Sequence, residues 1–249
     1  MAAVKSISYH LFSNSRSLPR ERLPPQGLIP YHYYRTPPHI YSDDEIERLL
    51  RAAANLPSAN GLRASSYTTL FGLLAVTGMR INEVLTLNHE DVDLEEGILN
   101  IRRTKFGKSR LVPLHASTCD ALKHYAEVRT RAFPRPTTEA FFGSARGTRI
   151  TEWSARYTFA KISQQIGLRT AAKGHGRGPR IHDMRHRFAA HTLIEWYKAG
   201  VDVERELPKL ATYLGHVHIN ETFWYLEAVP QLLQLATQRL MQQAKEVGS

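Results

Sequence analysis

The sequence predicts a mainly α-helical domain carrying one small antiparallel β-sheet, an α+β arrangement. Three observations lead there. Apolar residues recur at helical spacing in segment after segment. A single pair of short β-like runs, Ile98–Arg102 and Arg110–Leu114, brackets a turn. The helical segments start and stop on cap signals, such as Ser42-Asp43-Asp44-Glu45 before the first and Gly78 after the second. With 249 residues and 42% hydrophobic content the chain is long enough to bury a sizeable core.

The elements follow in order. Residues 1–40 carry repeated prolines, from Leu18-Pro19 to Pro37-Pro38, with basic residues and the patch Tyr31-His32-Tyr33-Tyr34. Proline removes donors and fixes φ, so this stretch reads as an extended arm or linker. Order begins at the capping box formed by Ser42 and Glu45, after which Ile46, Leu49, Leu50 and Ala53 share one helical face. A second helix spans Ser65 to Val76. Arg80 opens the next helical turn, with Leu85 and Leu87 turned inward. The two strands are joined through Thr104–Lys108. A helix from Ser117 to Arg131 precedes the break at Pro134-Arg135-Pro136, and another spans Thr151 to Ile166. The loop Lys173–Arg180 is basic and glycine-rich, suited either to approach phosphate or to act as a plain connector. Helices then cover His182–Lys198, Pro208–Leu214 and Pro230–Ala244, the last with Leu232, Leu233, Leu235, Ala236 and Leu240. This gives an arm over 1–40, a main domain over 41–228 and a C-terminal helix over 229–249.

A net charge of +10 points to a polyanionic partner, because clustered Lys and Arg release counterions from nucleic acid. The lone Cys119 excludes an intramolecular disulfide and reads as a small buried residue. No apolar run approaches the roughly 20 residues that cross a bilayer, and the N-terminus lacks the apolar block of a signal peptide. A cytoplasmic protein with no membrane partner is expected. Trp153 and Trp224 read as packing residues.

The chemistry concentrates in a few short segments. His182-Asp183-Met184-Arg185-His186 puts His182 and Arg185 three apart, on one face of a helix. Arginine offers phosphate a planar fork of donors and keeps its charge at any working pH. Arg80 follows a helix break, where a side chain is easily aimed into a cleft. His216 follows Leu214-Gly215, a helix end where glycine redirects the chain, and Tyr225 comes nine residues later. Taken singly, each has a plain alternative: Arg80 pairing with Glu83 on a helix surface, His182 as a satisfied core histidine. A zinc site on His182, His186 and His191 is disfavoured because Arg185 would repel the cation and no cysteine lies nearby.

In order and spacing these segments resemble the tyrosine recombinase (phage integrase) family. Thr77-Gly78-Met79-Arg80-Ile81-Asn82-Glu83-Val84-Leu85 looks like its first arginine box. Lys105 is similar to its β-hairpin lysine, with Lys108 as the competitor in the same turn. His182–Arg185 is similar to its histidine-x-x-arginine box, Leu214-Gly215-His216 to its next histidine, and Tyr225 lies at the spacing of its nucleophile. The resemblance implies that 41–228 is a catalytic domain acting on double-stranded DNA through a 3′-phosphotyrosyl intermediate. It assigns catalytic roles to Arg80, Lys105, His182, Arg185, His216 and Tyr225, with no metal and no cofactor. Assembly is expected as a tetramer on DNA, with the C-terminal helix docking onto a neighbouring protomer or folding back on its own chain. A topoisomerase-IB-like nicking and closing enzyme and a non-catalytic DNA-binding accessory protein are the alternatives. Family members usually place a helical core-binding domain before the catalytic one. Here some forty proline-rich residues precede the capping box, so that domain is expected to be missing.

Overall fold

The computed structural model describes residues 38–102, 109–170, 178–216, 222, 229, 232–238 and 241. The arm up to residue 37, the hairpin turn with Lys105 and Lys108, most of the basic loop, and the segment holding Trp224 and Tyr225 lie outside the described residues. Those described form helices α1 (Asp43–Ala54), α2 (Leu62–Thr77), α3 (Ile81–Leu85), α4 (Ala116–Ala132), α5 (Glu152–Gln165), α6 (Asp183–Lys198) and α7 (Val203–Leu214). Strands β1 (Val92–Asp93), β2 (Ile98–Ile101) and β3 (Arg110–Pro113) form one antiparallel sheet in the order β1-β2-β3. The expected class therefore holds, with a third strand of two residues added at the edge. Leu99 pairs with Val112 and Ile101 with Arg110, so Leu99, Ile101 and Val112 face the core while Leu111 is exposed.

Helix α2 is the axis of the domain. It buries Leu62, Tyr67, Leu70, Phe71, Leu73 and Leu74, and it packs against α1, α4 and α6. A helix apolar on most sides belongs at the centre, where every face meets a partner. Tyr125 and Phe142 stack at 5.1 Å beside it, and Phe159 meets Phe71 edge-on. Cys119 is buried on α4, as its type suggested. A second, smaller apolar cluster joins Ala189, Ala190 and Leu193 of α6 to Val203, Leu207, Leu210 and Leu214 of α7. Val229 and Leu232 pack into that same cluster, so the stretch 232–238 begins by folding back on its own chain.

The capping box at α1 forms as read: Ser42 Oγ accepts from the Glu45 amide and Glu45 accepts from the Ser42 amide. This end of α1 is also tied to the start of α6. Tyr41 donates its hydroxyl to the Arg180 carbonyl at 3.1 Å, and Arg187 binds both the Tyr41 carbonyl and Asp43. Three expectations need correction. Helix α2 begins at Leu62, because Gly61 in a left-handed conformation opens it without a side-chain cap. Helix α7 begins at Val203, five residues before Pro208, because Asp202 caps it and the proline falls where only the Glu204 carbonyl loses a donor. Trp153 is not a packing residue: it is 73% exposed and stacks in parallel on Tyr157, whose ring Lys161 overlies at 5.2 Å.

Candidate active site

Two glycine-closed helix ends build the site. Helix α2 stops at Gly78 (φ 61°), whose amide donates to the Leu74 carbonyl. A side chain there would strike Phe188, since a Cβ would stand 2.6 Å from its ring. The chain then runs extended through Arg80, and Glu83 accepts from the Arg80 amide at 2.9 Å to start α3. Helix α7 stops at Gly215 (φ 68°), with the Leu214 and Gly215 carbonyls left to accept from side chains of other elements.

Arg80 and Arg185 meet at this second helix end. Arg185 Nη2 donates to the Leu214 carbonyl at 2.6 Å, and its Nη1 donates to the Gly78 carbonyl at 2.8 Å. Arg80 Nη1 reaches the same Leu214 carbonyl at 3.4 Å, and its Nη2 donates to the Gly215 carbonyl at 3.1 Å. The carboxyl end of a helix carries partial negative charge, which offsets the repulsion of two cations placed side by side. Arg185 is only 2% exposed, whereas Arg80 keeps about a third of its side chain in solvent.

A third arginine completes the group. Arg110, at the start of β3, grips Glu83 with both ends of its fork, at 2.9 and 2.7 Å, while Glu83 also accepts from Arg80 Nη1 at 3.1 Å. The pairing of Arg80 with Glu83 thus exists, but it is buried and shared, not a surface contact. Burial raises the Glu83 pKa, and the hydrogen bonds and charge of Arg110, then Arg80, outweigh it, so the carboxyl stays ionised below the usual range. Arg110 was not legible as a site residue. Its partner lies 27 positions away, and the only local signal was a charged residue directed inward on a strand.

Both histidines are held neutral. His216 is half-buried, and burial followed by the charges of Arg185 and Arg80 brings its pKa down to about 3. Its Nδ1 lies 2.7 Å from the hydroxyl oxygen of Thr222, another residue that the motifs did not reveal. His182 stands at the N-cap of α6, edge-on to His186 with ring centres 4.7 Å apart. Its side chain is exposed on one side, and desolvation of the rest, then His186 and Arg185, disfavour its protonation. Arg185, Arg80, His186 and His182 all lower the proton affinity of His216, which places them around that ring. Among the described residues no three His, Cys, Asp or Glu side chains converge as a metal site.

Four of the six candidate residues are therefore brought together: Arg80, His182, Arg185 and His216. Lys105 and Tyr225 lie outside the described residues. A cluster of two forked cations and two neutral imidazoles suits a tetrahedral anion whose charge grows during reaction.

Comparison with known proteins places the chain in one family and one fold. Residues 40–231 match the phage integrase family. The chain is 47% identical over 226 residues to a protein of Sinorhizobium fredii named as an integrase/recombinase, y4rB, covering 89% of this chain and 71% of that one. Its fold is similar to the crystal structure of XerA recombinase, with a TM-score of 0.63 and 26% identity over 82% of this chain and 66% of that chain. It is also similar to XerH site-specific recombinase bound to palindromic difH substrate in a post-cleavage complex, with a TM-score of 0.60 and 25% identity. The match covers 82% of this chain and 53% of XerH.

Proposed function

Because the chain belongs to the phage integrase family of tyrosine recombinases, we propose that it breaks and rejoins double-stranded DNA at the cluster around Leu214 and Gly215. The observation that carries this reading is the convergence of Arg80 and Arg185 on the Leu214 carbonyl, with His182 and His216 beside them. XerH in complex with its cleaved substrate supports DNA as the partner.

In the proposed reaction the Tyr225 hydroxyl oxygen attacks a backbone phosphorus, forming a 3′-phosphotyrosyl bond as the bond to the 5′-oxygen breaks. Neutral His182 is suited to receive the tyrosine proton. Lys105 supplies a proton to the departing oxygen, which would otherwise leave as an alkoxide. Arg80, Arg185 and His216 donate hydrogen bonds to the non-bridging oxygens, where negative charge accumulates. Rejoining runs the same steps in reverse with a 5′-hydroxyl as attacker. The covalent link conserves the energy of the broken bond, so the chemistry calls for no nucleotide. Fixed cationic charge does the work that a divalent metal does elsewhere, so cleavage should continue in excess chelator.

A nicked suicide duplex tests this, because loss of a short 5′-hydroxyl fragment traps the adduct. The wild-type chain should form a covalent protein–DNA species, and Tyr225→Phe should form none while binding DNA nearly as well. An adduct that survives in Tyr225→Phe refutes the nucleophile.

A further inference from the structure

A neutral imidazole has one N–H, and which nitrogen bears it decides what the ring can do. His216 is such a ring, since burial and the neighbouring guanidiniums keep the second proton off. Its Nδ1 faces Thr222 Oγ1 at 2.7 Å, and Thr222 is fully buried. Two tautomers satisfy that short contact. If the ring donates from Nδ1, its Nε2 presents a lone pair, which a phosphate oxygen repels. If the threonine hydroxyl donates to Nδ1, the proton sits on Nε2 and that edge becomes a donor.

We propose that Thr222 is a positioning residue: its hydroxyl donates to His216 Nδ1, fixing the ring proton on Nε2 and making that nitrogen the donor that meets the scissile phosphate. This rests on the recombinase reading above for the identity of the anion. The same bond ties Thr222 back to the turn at Gly215, where Arg80 and Arg185 are held. Partners that orient a functional imidazole through its other nitrogen have effects well above those of ordinary surface contacts.

The test compares Thr222→Val, which keeps the shape but loses the hydroxyl, with Thr222→Ser, which keeps the hydroxyl. Trapping on the suicide duplex should slow by about 10- to 100-fold in the valine variant, by analogy with partners that orient metal-ligating imidazoles. It should stay within about 3-fold of wild type in the serine variant, where the donor remains. DNA affinity should be nearly equal in all three proteins. Nitrogen NMR of the full chain, with His216→Asn to assign the signal, reads the tautomer directly. Wild type should show a bare Nδ1 and a protonated Nε2, and the valine variant a mixture. A protonated Nδ1 in wild type overturns the proposal, as does a folded valine variant that cleaves at the wild-type rate. If the wild-type chain forms no adduct, the recombinase reading fails, yet the tautomer still decides the pairing. If the valine variant does not fold, the wild-type tautomer and the serine rate decide.

Discussion

Glu83 is the residue on which the charge balance of the site turns. One buried carboxylate faces Arg80 and Arg110 together. Removing it leaves those cations without their anion, so Glu83→Ala should destabilise the fold by about 3 kcal/mol, the cost of breaking a buried pair from one side. The titration behaviour separates Glu83 from the histidines. Its pKa is depressed in the folded state, so its contribution is present above the unfolded value near pH 4.5 and lost as pH falls below that. The pKa of His216 is depressed too, to about 3. The unfolded chain takes up that proton near pH 6.5, so stability should already decline as pH falls from about 6.5. Urea unfolding between pH 8 and pH 4 should show both windows, and His216→Asn should flatten the upper one. A profile unchanged by that substitution refutes the neutral, buried state of the ring. Arg80, His182, Arg185 and His216 were legible because they sit in short contiguous motifs. Arg110 and Thr222 were not, because each is defined by a partner that folding brings to it.

At the level of elements, the two glycine turns are the joints of the site, and they differ in what surrounds them. A Cβ on Gly78 would lie 2.6 Å from the Phe188 ring, which stacks on Tyr213 and has little room to retreat. A Cβ on Gly215 would lie 3.0 Å from Arg110 Nη1 and 3.4 Å from Arg80 Nη1, the mobile ends of long side chains. Both substitutions also incur the left-handed penalty of about 1 kcal/mol or more. Gly78→Ala should therefore lower the melting temperature further than Gly215→Ala. Gly215→Ala should lose more cleavage than its stability explains, because it displaces the arginines. Melting curves beside trapping rates check the order, and the reverse ranking refutes it. Helical periodicity made most of the helices visible in the sequence. The edge strand β1 escaped because two residues carry no alternation, and the first turn of α7 escaped because Pro208 reads as a helix start.

For the molecule as a whole, the second apolar cluster takes in part of the C-terminal stretch. Leu232 is fully buried against α6 and α7 of its own chain, while Leu233 and Met241 remain exposed. With its main apolar contact already satisfied, the C-terminal stretch has little to exchange in free solution. Light scattering should find a monomer without DNA, and a stable tetramer there would contradict this packing. The family and fold were legible from order and spacing over nearly the whole domain. The depth at which Arg185 lies was not, because spacing places a residue on a face and says nothing of what covers it. Two guanidiniums drawn onto one carbonyl, that of Leu214, repel each other, and in an unstructured chain they would stay apart. Here the end of a helix, with Glu83 beside Arg80, takes up their donors. The electrostatic work of gathering positive charge is thus done while the protein folds. On the function proposed above, a phosphate would replace one set of oxygens with another, and little of the barrier would be left to reorganising the enzyme.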